Sequence, residues 1–178
     1  MFLDYIKPSI TLEVGARSLM EPRVEIPVKT IIQEALPQIN TDVVPVNIIT
    51  AAPQKTFLEK AFLLHELFSV EHDTLPAKRR SRHLYDLNRM MDRNFAIDAV
   101  CDDALWEQIQ HHRERFTSML GVDYSGDIRK RICLVPPEKH IDDWKKDYQY
   151  MCDSMIYGEK PTFSELIESI RELEKRFR

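Results

Sequence analysis

Three residues of this chain, Lys60, Asp86 and Glu13, have types and settings suited to chemistry on phosphate. Lys60 lies in TFLEKAFLLHE, Thr56 to Glu66, where the apolar spacing is helical. At about 100° per residue, Phe57, Ala61, Leu64, Leu67 and Phe68 gather on one face. Glu59 and Glu66 fall opposite, and Lys60 comes beside Leu64 and Leu67. A lysine bordering a buried face either lays its stem over apolar surface with the ammonium in water, or holds a compact cation near a cleft, where it suits a phosphate oxygen.

Asp86 belongs to a second helical stretch whose inward side is Leu84, Leu87 and Met91; it lies off that side, one turn from Arg82 and Arg89. It is either one rung of an exposed ion-pair ladder or a carboxylate among arginines, facing a phosphate-bearing substrate. Glu13 alternates with Ile10, Leu12 and Val14, so it takes the other face of a strand. That face is simply wet, or it presents an acidic ligand for Mg²⁺, since a rigid sheet fixes the spacing of ligands around a metal.

Other signals point nowhere further. His111 and His112 are adjacent, so they diverge around a helix and cannot chelate one metal. His65-Glu66 lacks the second histidine of a zinc protease, and with four glycines in all there is no P-loop, no G-x-G-x-x-G and no G-x-S-x-G. Lys78 to Arg82 is a basic patch, read either as a solvated loop or as a contact for nucleic acid.

These residues must be carried by two kinds of element. Ser9–Val14, Arg23–Val28 and Val43–Ile49 are β-rich and alternating, which predicts three strands; Pro27 and Pro45 place the second and third at a sheet edge or make them irregular. From Pro53 onward the period is helical. Thr56 and Glu59 form a capping-box pattern, predicting a helix from Phe57 to about Val70. Helices follow at about Arg82–Asp92 and Asp102–Leu120, the latter with Leu105, Ile109, Phe116 and Met119 on one stripe and Gly121-Val122 closing it. After Pro136-Pro137, the residues Ile141, Trp144, Tyr148, Met151 and Met155 form an apolar stripe, and a capping box at Thr162 and Glu165 opens a last helix with Phe163, Leu166, Ile170, Leu173 and Phe177 on one side. The expected fold class is α+β: a small N-terminal sheet of about three strands over residues 1–52, then a bundle of about five helices over 53–178.

A length of 178 residues, 43% hydrophobic and 30% charged, fits an ordinary globular chain with a real core. The net charge of −4 argues against a protein that coats nucleic acid but leaves room for a local basic patch. Three widely spaced cysteines give neither a disulfide framework nor a zinc site and fit a reducing cytoplasm. No apolar run is long enough to span a membrane, and the N-terminus lacks the pattern of a signal peptide.

Taken together and in this order, ITLEVG (10–15), TFLEK (56–60) and RHLYDL (82–87) resemble the nucleotidyltransferase family of AbiEii/AbiGii toxins over most of the chain. The resemblance implies a polymerase-β-type relative: a small mixed sheet carrying acidic residues, a helical C-terminal half, and the toxin role in a toxin–antitoxin or abortive-infection pair. It further implies transfer of a nucleotide from an NTP to tRNA with Mg²⁺. Carried onto this chain, it implies that Lys60 touches the nucleotide phosphates, that Lys60 and Asp86 are needed for catalysis, and that Glu13 takes an acidic metal position. Arg82 is added to the triphosphate contacts by proximity.

The chain departs from the family where a Gly-Gly-Thr/Ser loop and an Asp-x-Asp pair are expected, since nothing before Glu13 supplies them. One glutamate cannot hold the ions of two-metal phosphoryl transfer. The expectation is therefore a C-terminal part, with 1–52 a remnant of the nucleotidyltransferase sheet, inactive until an N-terminal half completes it. A sheet so cut exposes an edge, which predicts self-association or pairing with another subunit. The alternative is a non-catalytic helical module that binds nucleotide, RNA or a protein partner through Lys60 and the Lys78–Arg82 patch.

Overall fold

A computed structural model describes residues 9, 10, 12, 14, 19, 21–39, 43–71, 73 and 75–178. Among them are two strands and seven α-helices, so the α+β class holds with one strand fewer than expected. Strand β1, Arg23–Val28, pairs antiparallel with β2, Val46–Ala51, in a register that sets Ile26 against Ile48 and Val28 against Val46. Both strands are edges, as Pro27 and Pro45 require. The second begins after Pro45 because proline cannot donate to a ladder. Of the predicted Ser9–Val14 strand, Thr11 and Glu13 lie outside the described residues, while Ser9, Ile10, Leu12 and Val14 are in no strand. Ile10, Leu12 and Val14 are almost fully exposed, so they have no packing to hold them in one. Between the strands, Thr30 and Gln33 form a capping box on a five-residue helix, α1, Ile31–Ala35.

The helical part is built around α2, Pro53–Phe68. It starts one turn before the predicted Phe57. Proline at the first helical position loses no hydrogen bond and has its φ already set, and the Thr56 N–H donates to the Ala52 carbonyl, which places Thr56 inside the helix rather than at its cap. From Phe57 to Phe68 every residue except Glu59, Lys60 and Leu63 is buried, so this is a central helix and not a one-sided one.

Four further elements complete the middle of the chain: α3 (Ser81–Met90), the unpredicted short α4 (Asn94–Val100), α5 (Asp103–Phe116) and α6 (Ile141–Met155). The last helix is α7, Phe163–Phe177. Its capping box forms as expected: the Glu165 N–H donates to Thr162 Oγ1 at 3.3 Å, and the Thr162 N–H to Glu165 Oε2 at 2.7 Å. The stripes on α3 and α7 are buried as the spacing demands, apart from Phe163 at the start of α7, which is half-buried. Two stripes are shorter than predicted: Phe116 and Met155, each at the end of its helix, are exposed.

Aromatic side chains tie the bundle together. Phe62 and Trp106 have ring centroids 4.4 Å apart, Trp106 and Phe177 5.4 Å, and Phe57 and Phe177 6.0 Å, so α2, α5 and α7 share one cluster. Phe68 meets Trp144 of α6 edge to face at 4.8 Å. Such contacts add about 0.5–1.5 kcal/mol each beyond area burial. The consequence for function is rigidity: α2 and α3 pack side by side, and whatever they present is held by the core.

Candidate functional site

Lys60 on α2 and Asp86 on α3 point at each other. Lys60 Nζ lies 2.8 Å from Asp86 Oδ2, with the side chains 22% and 39% exposed. The ion-pair partner of Asp86 is thus Lys60, not the Arg82 and Arg89 of its own helix. The pair sits at a boundary, packed on one side and wet on the other.

One turn along each helix, Leu63 and His83 line a cleft of about 610 Å³. The loop residues Lys78, Arg79 and Arg80, together with Arg82 of α3 and Arg113 of α5, bring five cationic side chains to its wall, against the one carboxylate of Glu66, which pairs with Arg113. Thr117 and Met119, beyond α5, close the far end. In a chain of net charge −4 this is a strongly local concentration of positive charge. His83 feels the charges of both Lys60 and Arg82. Burial, then the charges of those two residues, lowers its pKa to about 4, so the imidazole is neutral at neutral pH, and its Nδ1 is buried without a hydrogen-bond partner.

Three features of this site were not legible from spacing. Glu66, placed on the wet side by the helical wheel, is buried. It accepts two hydrogen bonds from Arg113, Nε to Oε1 at 2.8 Å and Nη2 to Oε2 at 2.5 Å, and one from the Tyr124 hydroxyl at 2.7 Å. Burial and this hydrogen bond push the Tyr124 phenol up to about 12. Asp147 of α6, also buried, accepts at Oδ1 from the Arg79 N–H (2.7 Å) and at Oδ2 from the Ser81 N–H (3.1 Å) and hydroxyl (2.6 Å). Lys55, not Lys60, is the buried lysine of α2; it donates to the Leu19 carbonyl and lies 3.7 Å from Glu59. The partners of Glu66 and Asp147 are 47 to 68 positions away, beyond the reach of any local pattern.

Of the predicted site residues, Lys60 and Asp86 are brought together, Arg82 lines the adjoining cleft, and Glu13 lies outside the described residues. Among the described residues no group of three His, Cys, Asp or Glu side chains could hold a metal ion. Asp86 is engaged by an ammonium, and the cleft beside it is cationic, which disfavours a divalent cation. Among the described residues no helix is long and apolar enough to cross a membrane.

A helical bundle whose α2–α3 junction carries a Lys–Asp pair beside a basic cleft is the setting in which the comparison with known families falls. The family model described as nucleotidyl transferase AbiEii toxin, type IV toxin–antitoxin system, matches residues 1–172, nearly the whole chain, and the chain belongs to that family. No curated protein and no solved structure matches it.

Proposed function

We propose that this chain is the nucleotidyltransferase-like toxin of its pair and that the cleft between α2, α3 and α5 takes the triphosphate of an NTP, with transfer to tRNA or another acceptor. The observation that carries this reading is the Lys60–Asp86 pair at 2.8 Å, bordering a wall of five cations. Lys60 supplies a compact ammonium for a phosphate oxygen, Asp86 holds it aimed, and Arg82 adds a planar donor set suited to phosphate. The oxygen ligands for Mg²⁺ would come from Glu13, from an N-terminal half and from the phosphates of the nucleotide itself. The antitoxin is a further partner, as the family's toxin–antitoxin role implies.

The test is to incubate the protein with each radiolabelled NTP, Mg²⁺ and total tRNA. Label on RNA, lost in Lys60→Ala, supports transfer. A second reading, a non-catalytic module that binds nucleotide, RNA or a protein partner, rests on the same basic residues, Lys78 to Arg82, at the cleft wall. It predicts NTP binding that Lys60→Ala abolishes, with no label transferred.

A further inference from the structure

We infer that Asp147 is a positioning residue for the cationic cleft, acting from α6 by clamping the backbone of the loop that carries Lys78, Arg79 and Arg80. The inference rests on the reading of that cleft as a polyphosphate site. Arg79 has φ 60, the left-handed region, and is the one non-glycine with positive φ among the described residues. An L-residue pays about 1–2 kcal/mol for that conformation, and glycine would pay nothing. An arginine there keeps a cation on the cleft wall at the cost of backbone strain, and such strain persists only where the surroundings over-determine it.

The Asp147 carboxylate is what over-determines it. Both of its oxygens are used, Oδ1 on the Arg79 N–H and Oδ2 on the Ser81 N–H and hydroxyl, and Ser81 is itself fully buried. The clamp therefore spans the strained residue and the first residue of α3, fixing how the loop enters the helix that bears Arg82, His83 and Asp86. It also occupies backbone donors that an incoming anion would otherwise use. A phosphate group in the cleft meets side chains from this loop.

The experiment is calorimetric titration of the full chain with inorganic tripolyphosphate. Wild type is expected to bind, and Asp147→Asn, which cannot accept from both backbone donors, is expected to bind about tenfold more weakly, the loss that matches the left-handed cost. In an Arg79→Gly background, where glycine takes φ 60 freely, the same Asp147→Asn change is expected to have little further effect. Equal losses in the two backgrounds would mean that Asp147 acts only through general stability and would overturn the inference. If Asp147→Asn does not fold, Arg79→Pro replaces it: proline lacks the N–H that Oδ1 accepts and cannot reach φ 60. It must then bind more weakly than Arg79→Ala, which loses the same charge; equal binding by the two overturns the clamp. A wild-type chain that ignores tripolyphosphate sinks the polyphosphate reading itself, whereas tight binding unaffected by Asp147→Asn sinks only the positioning role.

Discussion

Lys60 Nζ and Asp86 Oδ2, 2.8 Å apart across the α2–α3 junction, form a partly exposed ion pair that the helices do not need for their packing. The contacts below them are apolar: Phe57, Leu64, Leu84 and Leu87 are all fully buried. A pair at that exposure is worth about 1 kcal/mol or less to stability. Lys60→Ala and Asp86→Asn are therefore expected to leave the urea midpoint nearly unchanged. On nucleotide transfer, loss of the Lys60 charge is expected to cost on the order of 10²-fold, with Lys60→Arg a poor substitute because a planar guanidinium does not replace a point charge. Large loss of stability in Lys60→Ala with unchanged transfer would reverse the assignment.

The opposite balance is expected at Glu66. Its carboxylate is buried, held by Arg113 and by the Tyr124 hydroxyl, so removing one partner strands a charge in the core. Breaking such a pair costs about 3–5 kcal/mol, and Arg113→Ala should lower the free energy of unfolding in urea by that order. Tyr124→Phe removes a single hydrogen bond to the same carboxylate and should cost about 1.5–3 kcal/mol. Because Glu66 and Arg113 also line the cleft, Glu66→Gln/Arg113→Met tests whether the pair matters beyond stability: a folded double variant with normal nucleotide binding confines it to the core.

How far the sequence reaches is shown by these two pairs. Lys60 could be singled out because it borders the apolar face of its helix, and Asp86 because it lies off the apolar side with Arg82 and Arg89 one turn away, and both are local information. Their meeting, like the Glu66–Arg113 and Asp147–Ser81 contacts, depends on how helices far apart in the chain cross, which periodicity does not encode. The same limit explains α2. A wheel drawn for a one-sided helix assigns Glu66 to water, but α2 is surrounded on most sides by α3, α4 and α5. Capping boxes show the contrast in small: Thr162 with Glu165 forms one, while Thr56 with Glu59 does not, because Pro53 starts that helix a turn earlier.

Acid is expected to destabilise the fold before the carboxylates titrate. His65 is buried, its Nδ1 accepts from the Cys133 N–H, and burial followed by the charge of Arg131 lowers its pKa from 6.5 to about 4. The unfolded chain therefore binds a proton at this site between pH 6.5 and 4 that the folded chain does not. Stability rises with pH across that window, is complete above 6.5, and is lost as pH falls toward 4. The contribution is on the order of 3 kcal/mol. Urea unfolding at pH 7 and pH 5 should show the loss; His83 carries the same lowered pKa, so His65→Gln should remove about half of it and His65→Gln/His83→Gln should flatten it, while a pH-independent midpoint in wild type would exclude a neutral buried His65.

The two-stranded sheet is the part of the fold least able to stand alone. Its register puts Val24, Ile26 and Val28 on the same face as Val46, Ile48 and Thr50, and of these Ile26, Val28, Val46 and Ile48 are exposed. A two-stranded antiparallel pair is marginal by itself, and among the described residues no further strand pairs with either outer edge. Covering that face, by a second copy or by the partner proposed above, would supply the burial it lacks. Sedimentation of the purified chain is expected to show self-association that rises with concentration, and replacing Ile26 and Ile48 by lysine should return it to monomer without changing the helical signal. A wild-type chain that stays monomeric at high concentration, and whose sheet amides are nonetheless protected from hydrogen exchange, would show that the two strands need no partner.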